Sequence, residues 1–225
     1  MLRFRLLLLA VFVLVSSIAM AAPAQDESAR CAAALIVINL DQETVDFAGT
    51  GAPFPEDWRT STGTHVIDAN TELISSARDA GLLIIYLYGN YPDLDESELG
   101  TYEPEIAPTE GDILIARPGY NLNVFTMTPL LETLMARDID HLMFSGLNTG
   151  FCVNTSAQWA LRLGFEATVV ADAHSGGTPE YAQSYNDYWP TLGIHVVATE
   201  DLDFVALCTP VGDEEEHTEG AQDGG

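Results

Sequence analysis

The chain has 225 residues, of which 47% are hydrophobic, enough for one domain of ordinary size with a sizeable core. It carries 34 acidic residues against 8 basic ones, all of them arginine, and its formal net charge is −26. A surface this negative repels nucleic acid and anionic membranes, so we exclude both as partners and expect a soluble globular protein.

The two ends of the chain differ from its centre in composition. Residues 1–21 combine two arginines, the apolar run Leu6–Val15 and the small-residue sequence Ala19-Met20-Ala21, a pattern typical of a secretory signal peptide. An uncleaved membrane anchor is the alternative, but the apolar run is shorter than the roughly 20 residues that a span needs. We expect residues 22–32 to be a linker, 33–208 the domain and 209–225 an acidic disordered tail. The mature protein is then periplasmic or extracellular.

Strand-length apolar runs alternate with helical patterns along the chain. The predicted strands are Ala33–Asn39, Leu82–Tyr88, Asp112–Ala116, His141–Phe144, Phe165–Val170 and Ile194–Ala198. The predicted helices run from Thr64 to Ala80, Thr128 to Ala136, about Thr149 to Leu163, Thr178 to about Tyr188, and Thr199 to Leu207. Ser145-Gly146 is expected to end the fourth strand, and Gly81 and Gly164 to end two of the helices. The alternation predicts a doubly wound, three-layer α/β sandwich around a six-stranded, mainly parallel sheet.

Four side chains that could carry chemistry follow the central strands. Cys152 falls in the first turn of a predicted helix, where unpaired N–H groups and the helix dipole favour a thiolate. Asn39 and Asp41 follow the first strand, and Arg117 follows the third. The carboxyl ends of parallel strands share one edge of the sheet, so these groups should meet there. The alternative for Cys152 is a small buried hydrophobic residue.

Several segments resemble the isochorismatase-like cysteine hydrolases, which include nicotinamidases, carbamoyl-amide hydrolases and isochorismatases. The matching segments are ALIVIN at 34–39, RPGYN at 117–121, FTMTPL at 125–130 and GLNTGFCV at 146–153. The resemblance implies that Cys152 attacks an amide carbonyl, with an aspartate on the first strand moving the proton and a lysine on the third strand lowering the thiol pKa. It also implies a cis peptide at Leu147–Asn148 and an oxyanion hole formed by the N–H groups of Asn148 and Cys152.

The chain departs from this pattern at two positions. Asn39 stands where the family has aspartate, and Arg117 stands where it has lysine. Arginine supplies charge but exchanges no proton near neutral pH, and asparagine cannot act as a base, which leaves Asp41 as the nearest candidate base. Aromatic side chains of the first loops and of the third strand's end are expected to wall the pocket, namely Phe47, Trp58 and Tyr120.

The predicted function is an exported cysteine hydrolase that cleaves a small amide. We expect no cofactor and no metal, since the first loop lacks an Asp-x-His and Asp172-x-His174 follows the fifth predicted strand. One alternative is a binding protein of the same fold that lost its catalytic residues. Another is a vinyl-ether hydrolase, and the altered carboxylate position counts against it. A homo-oligomer is compatible with either kind of function.

The other two cysteines are expected to form a disulfide. Cys31 precedes the first strand, and Cys208 follows a final helix that returns toward the same amino edge of the sheet. An exported chain meets an oxidising compartment, in which such a pair can bridge and leave Cys152 as the free thiol.

Overall fold

One parallel sheet organises the molecule. The computed structural model describes residues 31–42, 44–45, 63–90, 100–118 and 121–208. Within them, a 6-stranded sheet has the order β3-β2-β1-β4-β5-β6, and every pairing is parallel. The strands are β1 (Ala33–Ile38), β2 (Leu83–Asn90), β3 (Ile113–Pro118), β4 (His141–Leu147), β5 (Glu166–Ser175) and β6 (His195–Val197). The predicted α/β fold is therefore confirmed.

Helices cover both faces of the sheet and produce three layers. The described α-helices are α1 (Thr64–Asp79), α2 (Leu130–Met135), α3 (Asn154–Leu163), α4 (Pro179–Tyr188) and α5 (Phe204–Cys208). One core cluster joins the sheet to α2, α3 and α4, and a second joins it to α1 and α5. All six residues of β1 are buried because its side chains alternate between the two clusters. This explains why its sequence is a continuous apolar run.

Some helix ends follow the sequence signals and others differ. Thr178 caps α4 by accepting from the Tyr181 N–H at 3.2 Å, and Gly164 ends α3 with a φ of 94°. Thr64 was predicted as a cap but lies inside α1, and Gly63 is the N-cap. The predicted final helix is divided into a 3₁₀ turn at Thr199–Asp201 and the separate α5. The Asp172 carboxylate holds that first turn, accepting from the Thr199 N–H at 2.9 Å and its hydroxyl at 3.0 Å.

Two strands continue beyond their predicted ends. β4 does not stop at Ser145-Gly146 but extends to Leu147, and a register shift against β5 lies between Phe144 and Gly146. Gly146 has a φ of 101°, and a Cβ atom there would lie 1.9 Å from the Ile38 carbonyl oxygen of β1. Glycine thus lets the two backbones approach without ending the strand. β5 likewise runs through Asp172 and His174, which the sequence analysis placed after the strand.

The structure joins Cys31 to Cys208 in a disulfide. β1 and β6 are separated by β4 and β5 in the sheet, yet the chain after β6 returns across the face that α1 covers. Leu202, Phe204 and Leu207 pack there against the second cluster and bring Cys208 to Cys31. In the described part of the chain, no helix is long and apolar enough to cross a membrane. The predicted signal peptide and acidic tail lie outside the described residues.

Candidate active site

The order of the strands in the sheet determines where the candidate active site lies. Connections run outward from β1 through β2 to β3 and, in the other direction, from β4 through β5 to β6, so the order reverses between β1 and β4. Ligands in such sheets bind at the carboxyl ends of the strands beside this reversal. Asn39 directly follows β1, the turn that carries Cys152 follows β4, and Arg117 lies near the end of β3. The topology therefore brings together three of the residues selected from the sequence.

A hydrogen-bonded chain links Arg117, Asn39 and Cys152. The Arg117 Nε and Nη2 atoms donate to Asn39 Oδ1 at 3.1 and 2.7 Å. Asn39 Nδ2 donates to the Leu147 carbonyl at 3.1 Å and lies 3.5 Å from the Cys152 sulfur. Because a guanidinium only donates, the Asn39 oxygen must face Arg117 and its nitrogen must face the sulfur. The predicted proximity of these three side chains is confirmed.

All three side chains are buried, with exposures of 4% for Asn39, 2% for Arg117 and 6% for Cys152. Among the described residues, Arg117 forms no ion pair with a carboxylate, and its Nη1 donates to the Asn121 carbonyl. Its charge is thus directed at the Asn39 amide. An amide polarised in this way presents an electropositive N–H to the sulfur, which can accept a hydrogen bond from it.

The turn that holds Cys152 begins at a cis peptide between Leu147 and Asn148, as predicted. The next residues, Thr149–Val153, form a single wide turn of π-helix that leads into α3. Asn148 organises it: its Oδ1 accepts from the Gly150 N–H at 3.2 Å, and its carbonyl accepts from the N–H groups of Phe151 and Val153 at 3.1 and 3.2 Å. The proposed oxyanion donors, the N–H groups of Asn148 and Cys152, lie in this turn.

His174 fixes the turn from β5, a role that the sequence analysis missed. Its Nδ1 atom lies 2.9 Å from the Thr149 hydroxyl, and its Nε2 atom lies 2.9 Å from Asn186 Oδ1. The Asn186 amide nitrogen donates to a backbone carbonyl, so its oxygen faces the ring and the ring donates from Nε2. Burial lowers the pKa of His174 to about 4, against the opposing effects of Asn186 and Asp172, and the ring is neutral at pH 7.

Two tyrosines of α4 pack against the same turn. A Cβ atom at Gly150 would lie 2.0 Å from the Tyr181 hydroxyl oxygen and 2.8 Å from that of Tyr185. The absence of a side chain at Gly150 lets these phenols lie beside the cysteine turn. Burial, followed by the contact with Tyr185, raises the pKa of Tyr181 to about 12. The Thr178-Pro179 start signal predicted this helix, but no sequence signal marked these tyrosines as neighbours of Cys152.

Asp41, the candidate base of the sequence, forms hydrogen bonds within the turn after β1. Its Oδ2 atom accepts from the Thr44 N–H at 3.2 Å and from the Thr44 hydroxyl at 2.8 Å. Its Oδ1 atom is buried without a partner among the described residues, and none of its hydrogen bonds there reaches Asn39, Arg117 or Cys152. Burial raises the pKa of this carboxyl, while the Thr44 hydrogen bonds and the Arg117 charge act in the opposite direction. Asp41 therefore stabilises the turn after β1.

Three expected pocket residues, Phe47, Trp58 and Tyr120, lie outside the described residues. Within the described ranges, no group of three or more His, Cys, Asp or Glu side chains is arranged to hold a metal ion. Asp172 and His174 form the Asp-x-His pattern noted in the sequence. The Asp172 carboxylate is hydrogen-bonded to Thr199, and the His174 ring is hydrogen-bonded to Thr149 and Asn186. Both side chains serve to hold neighbouring segments in place.

Comparison with known proteins identifies one family to which the chain is similar. The family model described as "Isochorismatase domain" matches residues 33–203. The ureidoacrylate amidohydrolase RutB of Stutzerimonas stutzeri is 32% identical over 143 residues, which cover 64% of this chain and 50% of that protein. RutB of Klebsiella pneumoniae subsp. pneumoniae is 27% identical over 198 residues, covering 72% of this chain and 82% of that protein. A solved isochorismatase family protein from Desulfovibrio vulgaris has the same fold, with a TM-score of 0.64 at 22% identity over 79% of this chain and 98% of that one.

Proposed function

Because the chain belongs to the isochorismatase family of hydrolases, we propose that it is a cysteine hydrolase that cleaves the C–N bond of a small amide. One observation carries the proposal: the Cys152 sulfur lies 3.5 Å from an amide N–H whose other end is held by the buried Arg117. That arrangement stabilises a thiolate, which is the nucleophilic form of cysteine. The curated relatives named as ureidoacrylate amidohydrolases support an amide as the substrate class.

The reaction would proceed through an acyl-thioenzyme. The Cys152 thiolate attacks the carbonyl carbon and forms a C–S bond, and the carbonyl π electrons move to the oxygen. The N–H groups of Asn148 and Cys152 are the proposed donors to this oxyanion. Collapse of the intermediate breaks the C–N bond while the nitrogen takes a proton from water, so ammonia or an amine is released together with a hydroxide ion. Hydroxide then attacks the thioester, the C–S bond breaks, and the carboxylic acid leaves as the thiolate is regenerated.

A second candidate function is a binding protein of this fold without catalysis. The observation that favours it is chemical. Asn39 lies beside the sulfur and Arg117 is bonded to Asn39, but neither side chain can exchange a proton near neutral pH. A protein of that kind would bind a small amide and leave it intact.

We further propose that the mature protein is exported. The composition of residues 1–21 supports this, and the disulfide between Cys31 and Cys208 fits an oxidising compartment. Expression with and without these residues, followed by cell fractionation, tests it, and retention of the full chain in the cytoplasm would contradict export.

The catalytic proposal is tested by incubating the purified protein with a panel of small amides and measuring the release of ammonia or amine. The matched control is Cys152→Ala, which removes the sulfur from a buried position while keeping a small apolar side chain. Turnover by the wild type and none by the variant supports the hydrolase. If the wild type and Cys152→Ala both bind an amide and neither cleaves it, the result supports the binding protein.

A further inference from the structure

The turn that presents Cys152 is attached at both ends to one buried group of side chains. At its start, the Thr149 hydroxyl lies 2.9 Å from His174 Nδ1. At its end, the Asn154 N–H donates to the Thr149 carbonyl, and Asn154 Oδ1 accepts from Trp189 Nε1 at 3.0 Å. The rings of His174 and Trp189 meet edge to face, with centroids 5.0 Å apart and planes at 82°. The two attachments therefore belong to one packed unit formed by β5 and the segment after α4.

The hydrogen bond between Thr149 and His174 has a defined direction. Asn186 Nδ2 donates to the Ala171 carbonyl at 3.1 Å, so Asn186 Oδ1 accepts from the His174 Nε2–H group. The low pKa of this buried ring leaves Nδ1 without a proton at neutral pH. His174 Nδ1 is thus the acceptor, and the Thr149 hydroxyl is the donor.

Burial fixes this attachment in one position. Thr149 is 0% exposed and His174 is 3% exposed, and a buried polar group that loses its partner costs free energy. The register of β4 and β5 pairs Gly146 with His174, which places the ring beside the strand end that leads into the cis peptide at Leu147–Asn148. The ring is therefore well placed to hold the first residue of the turn.

We propose that His174 is a positioning residue for the hydrolysis, which holds the proposed oxyanion donors, the N–H groups of Asn148 and Cys152, in place through Thr149. This inference rests on the hydrolase function proposed above. Thr149 lies between the two donors along the chain. Because such donors act at about 2.7–3.1 Å from the developing oxyanion, a small displacement of the turn weakens them while the sulfur stays beside Asn39.

Two reactions of the same thiol separate this role from a general effect on Cys152. In acetylation by p-nitrophenyl acetate, the thiolate attacks the carbonyl carbon, the C–S bond forms and an oxyanion develops. The C–O bond then breaks, and its electron pair leaves with nitrophenolate. In alkylation by iodoacetamide, the thiolate displaces iodide from a saturated carbon and no oxyanion forms. Displaced oxyanion donors should therefore slow the first reaction and spare the second.

The test variant is Thr149→Val, which removes the hydroxyl and keeps the β-branched shape. Intact mass gives the single-turnover rates of both reactions at Cys152. We expect acetylation to be about 10- to 100-fold slower, somewhat less than the loss of a whole oxyanion donor, while alkylation stays close to the wild-type rate. Thr149→Ser restores the hydroxyl and should recover most of the acetylation rate.

The matched control is Thr168→Val, at a second buried threonine that is bonded to a histidine. The Thr168 hydroxyl lies 2.8 Å from His141 Nε2, at the opposite edge of the same sheet, and Thr168 is 3% exposed. Thr168→Val removes the same kind of hydrogen bond far from the turn, so it should acetylate at the wild-type rate.

Equal acetylation rates in the wild type and Thr149→Val overturn the proposal. A parallel decrease of acetylation and alkylation also overturns it, because the turn would then only carry the sulfur. If Thr149→Val does not fold, two variants of His174 answer the same question. His174→Asn offers an oxygen acceptor near the position of Nδ1 and should retain acetylation, His174→Leu offers none and should lose it, and a wild-type rate in His174→Leu overturns the proposal. Absence of an acetyl adduct on wild-type Cys152, compared with Cys152→Ala, would defeat the hydrolase function itself and this inference with it.

Discussion

Asn39 faces Cys152 with its amide nitrogen and Arg117 with its amide oxygen, at 3.5 Å from the sulfur and 2.7 Å from Nη2. The orientation is not free, because the guanidinium can only donate and the Leu147 carbonyl, 3.1 Å from the same nitrogen, can only accept. A neutral amide thus transmits the Arg117 charge to the sulfur. This relationship is the basis for proposing Cys152 as the nucleophile.

Arg117→Met should slow the alkylation of Cys152 near neutral pH. It removes the charge that polarises Asn39 and leaves the buried Oδ1 atom without its two donors. A hydrogen bond to a charged group contributes about 1.5–3 kcal/mol, which corresponds to a decrease of roughly 10- to 100-fold in the alkylation rate. Arg117→Lys is the control that keeps the charge and should retain most of the rate. Equal rates in all three proteins would show that Arg117 does not act on the sulfur.

Substitutions at two glycines with positive φ distinguish the energetic cost of backbone strain from that of a steric clash. Gly164→Ala places a Cβ in open space at a φ of 94° and should cost about 1–2 kcal/mol of unfolding free energy. Gly146→Ala has a similar φ of 101° but puts its Cβ 1.9 Å from the Ile38 carbonyl oxygen. It should cost about 3 kcal/mol or more and also displace Cys152 from Asn39. Denaturant unfolding measures both, and equal losses would contradict the close contact between β1 and β4.

His174 should make the protein less stable as the pH falls from 6.5 to 4. Its pKa is about 4 in the folded state against an ordinary value of 6.5, so the unfolded chain binds more protons in that window. The loss is about 3 kcal/mol by proton linkage. His174→Asn should be less stable at pH 7 and show a smaller loss on acidification, while His195→Asn, at an exposed histidine of β6, should behave as the wild type. A wild-type pH dependence in His174→Asn would remove His174 as its cause.

The disulfide should leave one free thiol in the unfolded, unreduced protein. It closes a loop with a sequence separation of 177 residues. In the chain-entropy model such a bridge contributes about 5 kcal/mol, less any strain. Reduction, or the double substitution of Cys31 and Cys208 by serine, should lower the denaturant midpoint accordingly. A titration that finds three thiols would show that the bridge does not form.

The sequence was most informative where the signal is local. The continuous apolar run of β1, the proline after Thr178 and the glycine after α3 each predicted an element correctly, because burial and capping depend on neighbouring residues. The motif around Cys152 also located the cis peptide between Leu147 and Asn148. The family model confirms the resemblance on which those last expectations depended.

Other features depend on contacts between distant segments and left no local signal. Asn39 and Asp41 were both expected to meet Cys152 at the carboxyl edge of the sheet. β1 ends at Ile38, however, and Asn39 has a φ of 54°, so the chain turns there. Of these two side chains, the hydrogen bonds in the described part of the chain bring Asn39 to the sulfur. The position of His174 was unpredictable for a similar reason: it depends on a register shift between β4 and β5.

The central claim, that Cys152 is an activated nucleophile, is tested most directly by its alkylation rate. Iodoacetamide is added at pH 7 without reductant, so that Cys152 is the reactive thiol, and the modified fraction is followed by intact mass. The account predicts that the native protein reacts at least about tenfold faster than the same protein unfolded in denaturant, despite burial of the sulfur. A native rate equal to or below the unfolded rate would contradict it, because the thiol would then have gained nothing from Asn39 and Arg117.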